Sequence, residues 1–265
     1  MDNGLLPSVP IWLIFFGTVV LSAACVEAGY QWAKRKKTKE KEEHEEEAPV
    51  GAMVGAILGL LAFLLAITFG IAVDTFLARK HALIDEANAI RTAYRRAGMT
   101  AEPHRSAVRL LLRDYVEDRL HWTGVQLSGP SMTVNQILEQ LSEHAIQVGI
   151  EMPNSEAMSL FIESINDVEN QHHLRLMVRE RTRIPCAFWI VLYLLAVLGL
   201  GGMGYHCGIS GTVHSPVMVI AAFAFAMVIV LIVDVDRPGE GLISVNQQAM
   251  IDLRDSINPR FVTSK

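Results

Sequence analysis

Four long apolar stretches constrain what this chain can fold into more than any other feature of its sequence. They are residues 9–26, 50–73, 184–205 and 217–233. Each is close to the roughly 20 helical residues that cross about 30 Å of hydrocarbon. The chain of 265 residues is 51% hydrophobic and its mean hydropathy is +0.30, which is more apolar than an ordinary water-soluble protein. The sequence therefore predicts an integral membrane protein with four transmembrane helices.

The polar region at residues 79–183 carries its apolar residues at helical spacing, and no part of it alternates convincingly with a period of two. Four apolar stripes predict four helices: Leu83, Ala87, Ile90 and Tyr94; Val108, Leu111, Leu112, Tyr115 and Leu120; Val134, Ile137, Leu138, Leu141 and Ile146; Met158, Phe161, Ile165, Val168 and Leu176. No Pro and no run of turn residues separates the first of them from the second span. The predicted fold is all-α, with four transmembrane helices and a helical bundle inserted between the second and third spans.

The predicted organisation has seven segments. They are a first transmembrane helix at 1–33, a charged loop at 34–49, a second transmembrane helix at 50–78, a soluble helical bundle at 79–183, a third transmembrane helix at 184–205, a fourth at 216–236 and a C-terminal tail at 237–265. The charged loop, "KRKKTKEKEEHEEEAP", has a basic block followed by an acidic one. Blocks of this kind stay solvated. A tail that binds a partner or lipid is the alternative interpretation.

Two patterns in the second span suggest functional contacts. Gly51, Gly55 and Gly59 are four residues apart, and small residues at this spacing let membrane helices approach closely, either within one chain or between subunits. Phe63 and Ile67 continue the register of Gly59. An apolar stripe of this kind faces lipid or protein core in most membrane helices, and a pore constriction is the alternative.

Acidic residues at the ends of two spans have both structural and functional interpretations. Asp74 either reaches towards water at the membrane boundary or lies on an ion path, because carboxylates within membranes are costly. The stretch "VDVDRPGEG" closes the fourth span and contains Asp234, Asp236, Arg237 and Glu240. A salt bridge or helix cap is the favoured interpretation there. A cation site made of carboxylates and loop carbonyls is the alternative.

Evidence for an enzyme is lacking in the sequence. Glu169 and His172 have the helical spacing that di-iron bundles use on two helices, but only one such pair is present. His144 is a further histidine that does not complete a second pair. Surface histidines are the favoured interpretation, and no metal site is expected. Signatures of hydrolases, nucleotide-binding loops and zinc proteases are also missing from the sequence. With a net charge of -5 and no basic stripe, a nucleic-acid partner is not expected.

Several blocks of the sequence, in order, resemble the bestrophin-like family of prokaryotic four-span membrane proteins. They are "LAFLLAITF", "ARKHALIDEANAIRTAYRRAG", "RLLLRDYVEDRL", "RTRIPCAFW" and "VDVDRPGEGLISVNQQAM". This family is distantly similar to the bestrophin chloride channels. Bestrophins are pentamers with four spans, a large helical insertion between the second and third spans, and a pore lined by the second span. The resemblance implies a homo-pentamer in a lipid bilayer that passes small inorganic ions, with chloride first among them.

The bestrophin neck stacks apolar residues at i, i+4 and i+8, which the resemblance places at Gly59, Phe63 and Ile67. Phe63 matches the bestrophin pattern, whereas Ile67 replaces an aromatic residue, Ala66 replaces a glycine and Gly59 replaces a branched apolar residue. A wider neck would follow from Gly59. After the fourth span, "RPGEG" resembles the bestrophin Pro-Gly turn, but the acidic run that binds calcium there is missing. Neither calcium gating nor any other cofactor is therefore expected.

Function and orientation each retain an alternative. Against the channel stands a non-conducting membrane scaffold or sensor that binds a partner through its helical domain. The positive-inside rule does not settle the orientation, because six Lys or Arg at residues 34–41 oppose a similar number near the span ends on the other side. The resemblance implies that the helical domain and both termini are cytoplasmic, in a multi-pass protein of the plasma (inner) membrane.

Overall fold

The structure is a computed structural model, and it describes residues 10–39, 47–121, 133–181, 184–211, 216–237, 243 and 245–258. Within these residues the secondary structure is helical and contains no strand. In chain order the helices are α1 (Ile11–Lys39), α2 (Glu47–Arg96), α3 (His104–His121), α4 (Val134–Glu151), α5 (Glu156–Arg181), α6 (Cys186–Ile209), α7 (Pro216–Asp236) and α8 (Gln248–Ile257). A 3-10 turn at Ala97–Met99 follows α2. The predicted all-α fold is confirmed.

Four of these helices are long and apolar enough to cross a membrane, and they coincide with the four predicted spans. The candidate spans are Ile11–Lys36, Pro49–Met99, Cys186–Ile209 and Val219–Asp236. The second covers α2 from Pro49 onwards and the 3-10 turn after it, and the 50 residues of α2 alone far exceed the roughly 20 needed for one crossing. The uninterrupted passage that the sequence predicts is therefore one continuous helix. The chain is a multi-pass membrane protein.

The chain forms two compact units, and the boundary between them falls inside α2. Residues 1–75 and 183–244 form the first, here called the membrane unit, and residues 76–182 and 245–265 form the second, the helical unit.

The membrane unit is held together by helices that approach closely through glycine. A Cβ atom added to Gly29 of α1 would overlap the carbonyl oxygen of Gly201 on α6, and one added to Gly204 of α6 would overlap the carbonyl oxygen of Val26 on α1. Small residues allow this approach in lipid, where helix association depends on packing and hydrogen bonds. One such bond joins Thr18 Oγ1 of α1 and Tyr193 OH of α6 at 3.1 Å.

A second contact in this unit places α2 against α6. A Cβ atom on Gly199 would lie 2.7 Å from Leu58 Cδ2, and one on Gly202 would lie 2.9 Å from Val54 Cγ2. The apolar core of the unit includes Ile14, Val26, Leu61, Leu192, Leu200, Phe225 and Ile229. The glycines of α6 thus contact two neighbouring helices, a role that the sequence analysis assigned to glycines of α2 alone.

The helical unit buries most of the predicted apolar stripes in one core, which contains Leu83, Ile90, Leu112, Leu120, Ile137, Leu141, Phe161 and Ile165. Two predicted members, Ile146 and Leu176, are instead exposed. In α4 the buried set includes Leu141, Ala145 and Val148, and Ile146 lies about 100° around the helix from Ala145. Placing Ile146 in the core was therefore wrong.

Helix α8 is an addition that the sequence analysis did not predict. Its buried residues Met250, Leu253 and Ile257 lie in the core of the helical unit. The carbonyl oxygen of Ile257 accepts hydrogen bonds from Arg113 Nε at 3.1 Å and from Tyr94 OH at 3.3 Å. The i, i+3, i+7 spacing of these three residues is helical, so the signal was present, but the sequence analysis placed the segment in a C-terminal tail.

Candidate functional site

One face of α2 in the membrane unit is exposed along its length. Its exposed residues are Ala52, Ala56, Gly59, Phe63, Ile67, Gly70 and Asp74. At about 100° per residue, they lie on the same side of the helix. Phe63 is 61% exposed and Ile67 is 39% exposed, whereas Leu61, Thr68 and Ala72 on the opposite side are buried. The three predicted neck residues Gly59, Phe63 and Ile67 therefore share the exposed side of this helix in the described part of the chain, here called the open face of α2.

The predicted glycine ladder divides into two environments. A Cβ atom on Gly51 would lie 2.9 Å from His206 Nε2, so Gly51 packs against another part of the same chain. Among the described residues, nothing lies within 4 Å of such an atom on Gly55 or Gly59. A packing role for Gly55 and Gly59 between subunits stays a prediction.

Two acidic residues in the last turn of α7 accept hydrogen bonds from backbone N–H groups. Asp234 is buried, and its Oδ2 accepts a hydrogen bond from the N–H of Ile243 at 2.9 Å. Asp236 Oδ1 accepts from the N–H of Ile184, two residues before α6, at 3.4 Å. Such bonds fit the capping interpretation of this turn, because carboxylates satisfy backbone donors that no helix partner reaches. Glu240 lies outside the described residues, and the role of Arg237 stays a prediction.

The helical unit contains a buried ion-pair cluster around Glu86 of α2. The side chain of Glu86 is 0% exposed, and Arg175 Nη1 of α5 donates to its Oε2. From α3, Arg119 Nε lies 3.2 Å from Oε1 and Arg119 Nη2 donates to Oε2 at 3.3 Å. Tyr115 OH donates to Oε1 at 2.6 Å. These residues, together with His172, form the Glu86 cluster, which ties α2 to α3 and α5.

His172 completes this cluster through Tyr115. Its Nδ1 lies 3.0 Å from Tyr115 OH, whose only proton is already donated to Glu86. The network therefore assigns the imidazole proton to Nδ1, which donates to the Tyr115 oxygen. Burial and the negative charge of Glu86 raise the pKa of Tyr115 well above its ordinary value, so the phenol remains protonated. Burial and the nearby Arg119 lower the pKa of His172, so the imidazole is neutral at pH 7.

The prediction that His172 is a surface histidine was wrong. His172 is only 3% exposed, since it follows Ile165 and Val168 on the buried side of α5. The carboxylate of Glu169 points elsewhere: its Oε2 accepts from Ser142 Oγ at 3.4 Å, and its Oε1 lies 3.8 Å from His173 Nε2. The spacing of Glu169 and His172 therefore does not bring their side chains into one site.

Sequence reasoning missed the Glu86 cluster, although a signal was present. Glu86 lies between Leu83, Ala87 and Ile90 at the spacing of the buried stripe, but only the apolar members of that stripe were considered in the sequence analysis. A carboxylate on a buried helix face must find compensating partners, because an unpaired buried charge is very costly. That rule indicates partner cations, but not which of the many arginines provide them.

We expect acid to destabilise the protein because His172 is buried in its neutral form. Because the pKa of His172 is lower in the folded state than its ordinary value, the unfolded chain binds a proton first as pH falls. His172 does not affect the free energy of unfolding above the ordinary histidine pKa of about 6.5, and it lowers that free energy as pH drops below this pKa. We expect thermal unfolding measured from pH 7.5 to 5 to show a smaller loss of stability in His172→Gln than in the wild type. Exposed His173→Gln is the control, and an unchanged pH slope in His172→Gln would contradict the assignment.

Comparisons with known proteins agree with this architecture. The sequence profile of the Bestrophin-like domain matches residues 19–250. A solved variant of a bestrophin homolog from Klebsiella pneumoniae is 15% identical, with a TM-score of 0.67 over 96% of this chain and 99% of that one. A second variant of the Klebsiella pneumoniae homolog is 17% identical, with a TM-score of 0.63 over 93% and 97%. A crystal structure of a membrane protein carrying one glycine-to-alanine change is 16% identical, with a TM-score of 0.65 over 94% of this chain and 97% of that one. No curated protein sequence matches the chain.

Proposed function

Because this chain belongs to the Bestrophin-like family, we propose that copies of it assemble around α2 to form an ion channel in the membrane. The observation that carries this proposal is the open face of α2. One side of the helix packs on its own chain through Val54, Leu58 and Leu61, whereas the other side, with Phe63 and Ile67, is exposed. In a ring of subunits, that second side would line a central path.

The proposed neck lies at Gly59, Phe63 and Ile67. An apolar ring offers few hydrogen-bond partners to water, so a narrow one tends to dry and to block ions. Residues before and after the neck on the same face are small, namely Ala52, Ala56 and Gly70. This arrangement favours a path that is narrow at Phe63 and wider on both sides of it. We propose that ion flow is controlled at that point.

Two considerations bear on ion selectivity in opposite directions. The bestrophin resemblance favours chloride and other small inorganic anions. Asp74, in contrast, is exposed at the end of the open face, and a ring of carboxylates at a pore mouth attracts cations. We propose that the channel conducts anions and that the negative charge of Asp74 at the pore mouth opposes their entry. A flux assay must therefore compare chloride with potassium.

The membrane orientation and the number of subunits follow the bestrophin resemblance. We place the helical unit and both termini in the cytoplasm and the protein in the plasma (inner) membrane. Five copies is the expected number, and no cofactor is required. Identical subunits that form a ring close with cyclic symmetry, which puts equivalent α2 faces around one axis.

A direct test measures assembly and flux in the same preparation. We expect native mass measurements in nanodiscs to give a closed homo-oligomer of five chains, and liposomes containing it to release chloride. A monomeric mass in both detergent and nanodiscs would contradict the assembly. An intact oligomer that passes neither chloride nor potassium would instead support the scaffold function.

One feature of the helical unit favours the scaffold as second candidate. Ile146 and Ile150 are one turn apart on α4 and exposed, with Ile150 74% exposed. Neighbouring exposed apolar side chains often mark a protein contact. A scaffold would use such a surface to bind a partner, whereas a channel has no need of one for conduction.

A further inference from the structure

Two histidines of the helical unit face one another away from the Glu86 cluster. His104 is the first residue of α3, and His144 lies on α4. Their Nδ1 atoms are 3.1 Å apart, and their rings are inclined by 78°. The sequence analysis treated His144 as a stray companion of His172, but its partner is His104.

The third member of this arrangement is Glu151, in the last turn of α4. Its Oε1 lies 3.4 Å from His104 Nε2. Because a carboxylate accepts and does not donate, the proton of His104 belongs on Nε2, and its Nδ1 carries a lone pair directed at His144. A carboxylate on the far nitrogen is the usual partner of a histidine that ligates a metal, since it fixes the tautomer and makes the other nitrogen a better ligand.

We propose that His104 and His144 bind a divalent late transition metal, such as Zn²⁺, Ni²⁺ or Cu²⁺, through their two Nδ1 atoms. In a tetrahedral Zn²⁺ site with bonds of about 2.0–2.1 Å, two nitrogens lie about 3.3 Å apart, close to the observed separation. On binding, His144 carries its proton on Nε2, so both Nδ1 lone pairs point at the ion. Glu151 orients His104 and does not touch the metal.

The surroundings of the pair suit a dication. His104 is buried and rigidly placed, whereas His144 is half-buried and gives access from solvent. The carboxylates of Glu143 and Glu151 add negative charge nearby.

The site would be open and of modest affinity. Among the described residues, no group of three or more His, Cys, Asp or Glu side chains is arranged to hold a metal ion. Water must therefore fill the remaining positions, as in open metal sites. Such a site binds more weakly than a closed structural one and exchanges its ion readily.

The test uses the full chain in detergent, with any affinity tag removed and bound metal stripped by a chelator. We expect calorimetric titration with Zn²⁺ to show one site per chain, and the electron paramagnetic resonance spectrum with Cu²⁺ to show two imidazole nitrogens. His144→Ala should weaken binding at least tenfold and leave one nitrogen signal at most. Glu151→Gln, on an exposed side chain, should weaken Zn²⁺ binding about tenfold while retaining both nitrogens, because only the orienting partner changes.

Two further variants separate this site from other metal-binding positions. His173→Ala removes an exposed imidazole that lies 3.8 Å from Glu169. Its neighbour His172 is buried and bonded to Tyr115, so Zn²⁺ binding should be unchanged. His44→Ala tests the acidic stretch "EEHEEE". The proposal is overturned if the wild type binds no Zn²⁺, if His144→Ala binds like the wild type, or if binding is lost in His44→Ala. Thermal unfolding without metal verifies that each variant is folded.

Discussion

Replacing Phe63 with alanine should raise ion flux through the assembled protein severalfold without changing its oligomeric state. Phe63 is 61% exposed and contributes little packing within its own chain, so its removal costs little stability. If its ring narrows a central path, alanine widens that path and lets water wet it, which removes the barrier to ions. The measurement is chloride release from liposomes at matched content of intact oligomer.

Leu64→Ala is the matched control for Phe63→Ala. Leu64 is the next residue on α2, about 100° around the helix, and packs against the core of the membrane unit. Its truncation removes a similar apolar bulk from the same turn, but on the packed side. We expect Leu64→Ala to lower stability and to leave flux per intact oligomer near that of the wild type. If Leu64→Ala increases flux as much as Phe63→Ala, the open face of α2 is not the conducting surface.

Glu86→Ala should strongly destabilise the helical unit. It leaves the guanidinium groups of Arg119 and Arg175 largely buried, 10% and 16% exposed, without their shared carboxylate. Removal of one partner from a buried ion pair costs about 3–5 kcal/mol, because the remaining charge is left uncompensated. We expect a corresponding loss in the free energy of unfolding, measured with denaturant at pH 7.5.

The control is Glu163→Ala, which removes an exposed carboxylate 3.7 Å from Arg96. An exposed pair of this kind contributes about 0–1 kcal/mol. A double variant, Glu86→Gln with Arg175→Gln, should cost less than the sum of the two single changes, since each residue compensates the other. Additive costs, or equal effects of Glu86→Ala and Glu163→Ala, would contradict the cluster as a coupled unit.

The four spans and the helical bundle were predictable because their signals are local and repeated. Hydropathy over about 20 residues identifies a span whatever it packs against. Similarly, the i, i+3, i+4 recurrence in residues such as Val108, Leu111 and Leu112 identifies the buried side of a helix from its own sequence. The continuity of α2 was also predictable from local sequence, since neither Pro nor a turn signal separates its apolar part from its polar part.

The interior polar contacts were not predictable in the same way. Whether Glu86 pairs with Arg119, Arg175 or another cation depends on which helices are neighbours, and sequence periodicity carries no such information. His104 and His144 are 40 residues apart and give no metal-binding spacing that a motif could detect. His172 was missed for a different reason: its helical register with Val168 predicted burial, but its residue type suggested the surface.

Glycines of α6 have a consequence for how sequences of this kind can diverge. Gly204 contacts the backbone of α1, while Gly199 and Gly202 on another side of the helix accept side chains of α2. A methyl group added at position 199 or 202 must be matched by a loss of volume on the helix that faces it. Related sequences should therefore change in pairs across α6, with larger residues at position 199 or 202 accompanied by smaller ones at Leu58 or Val54. Gly29 and Gly204 face backbone atoms that cannot shrink, so those two positions should stay glycine while their surroundings drift.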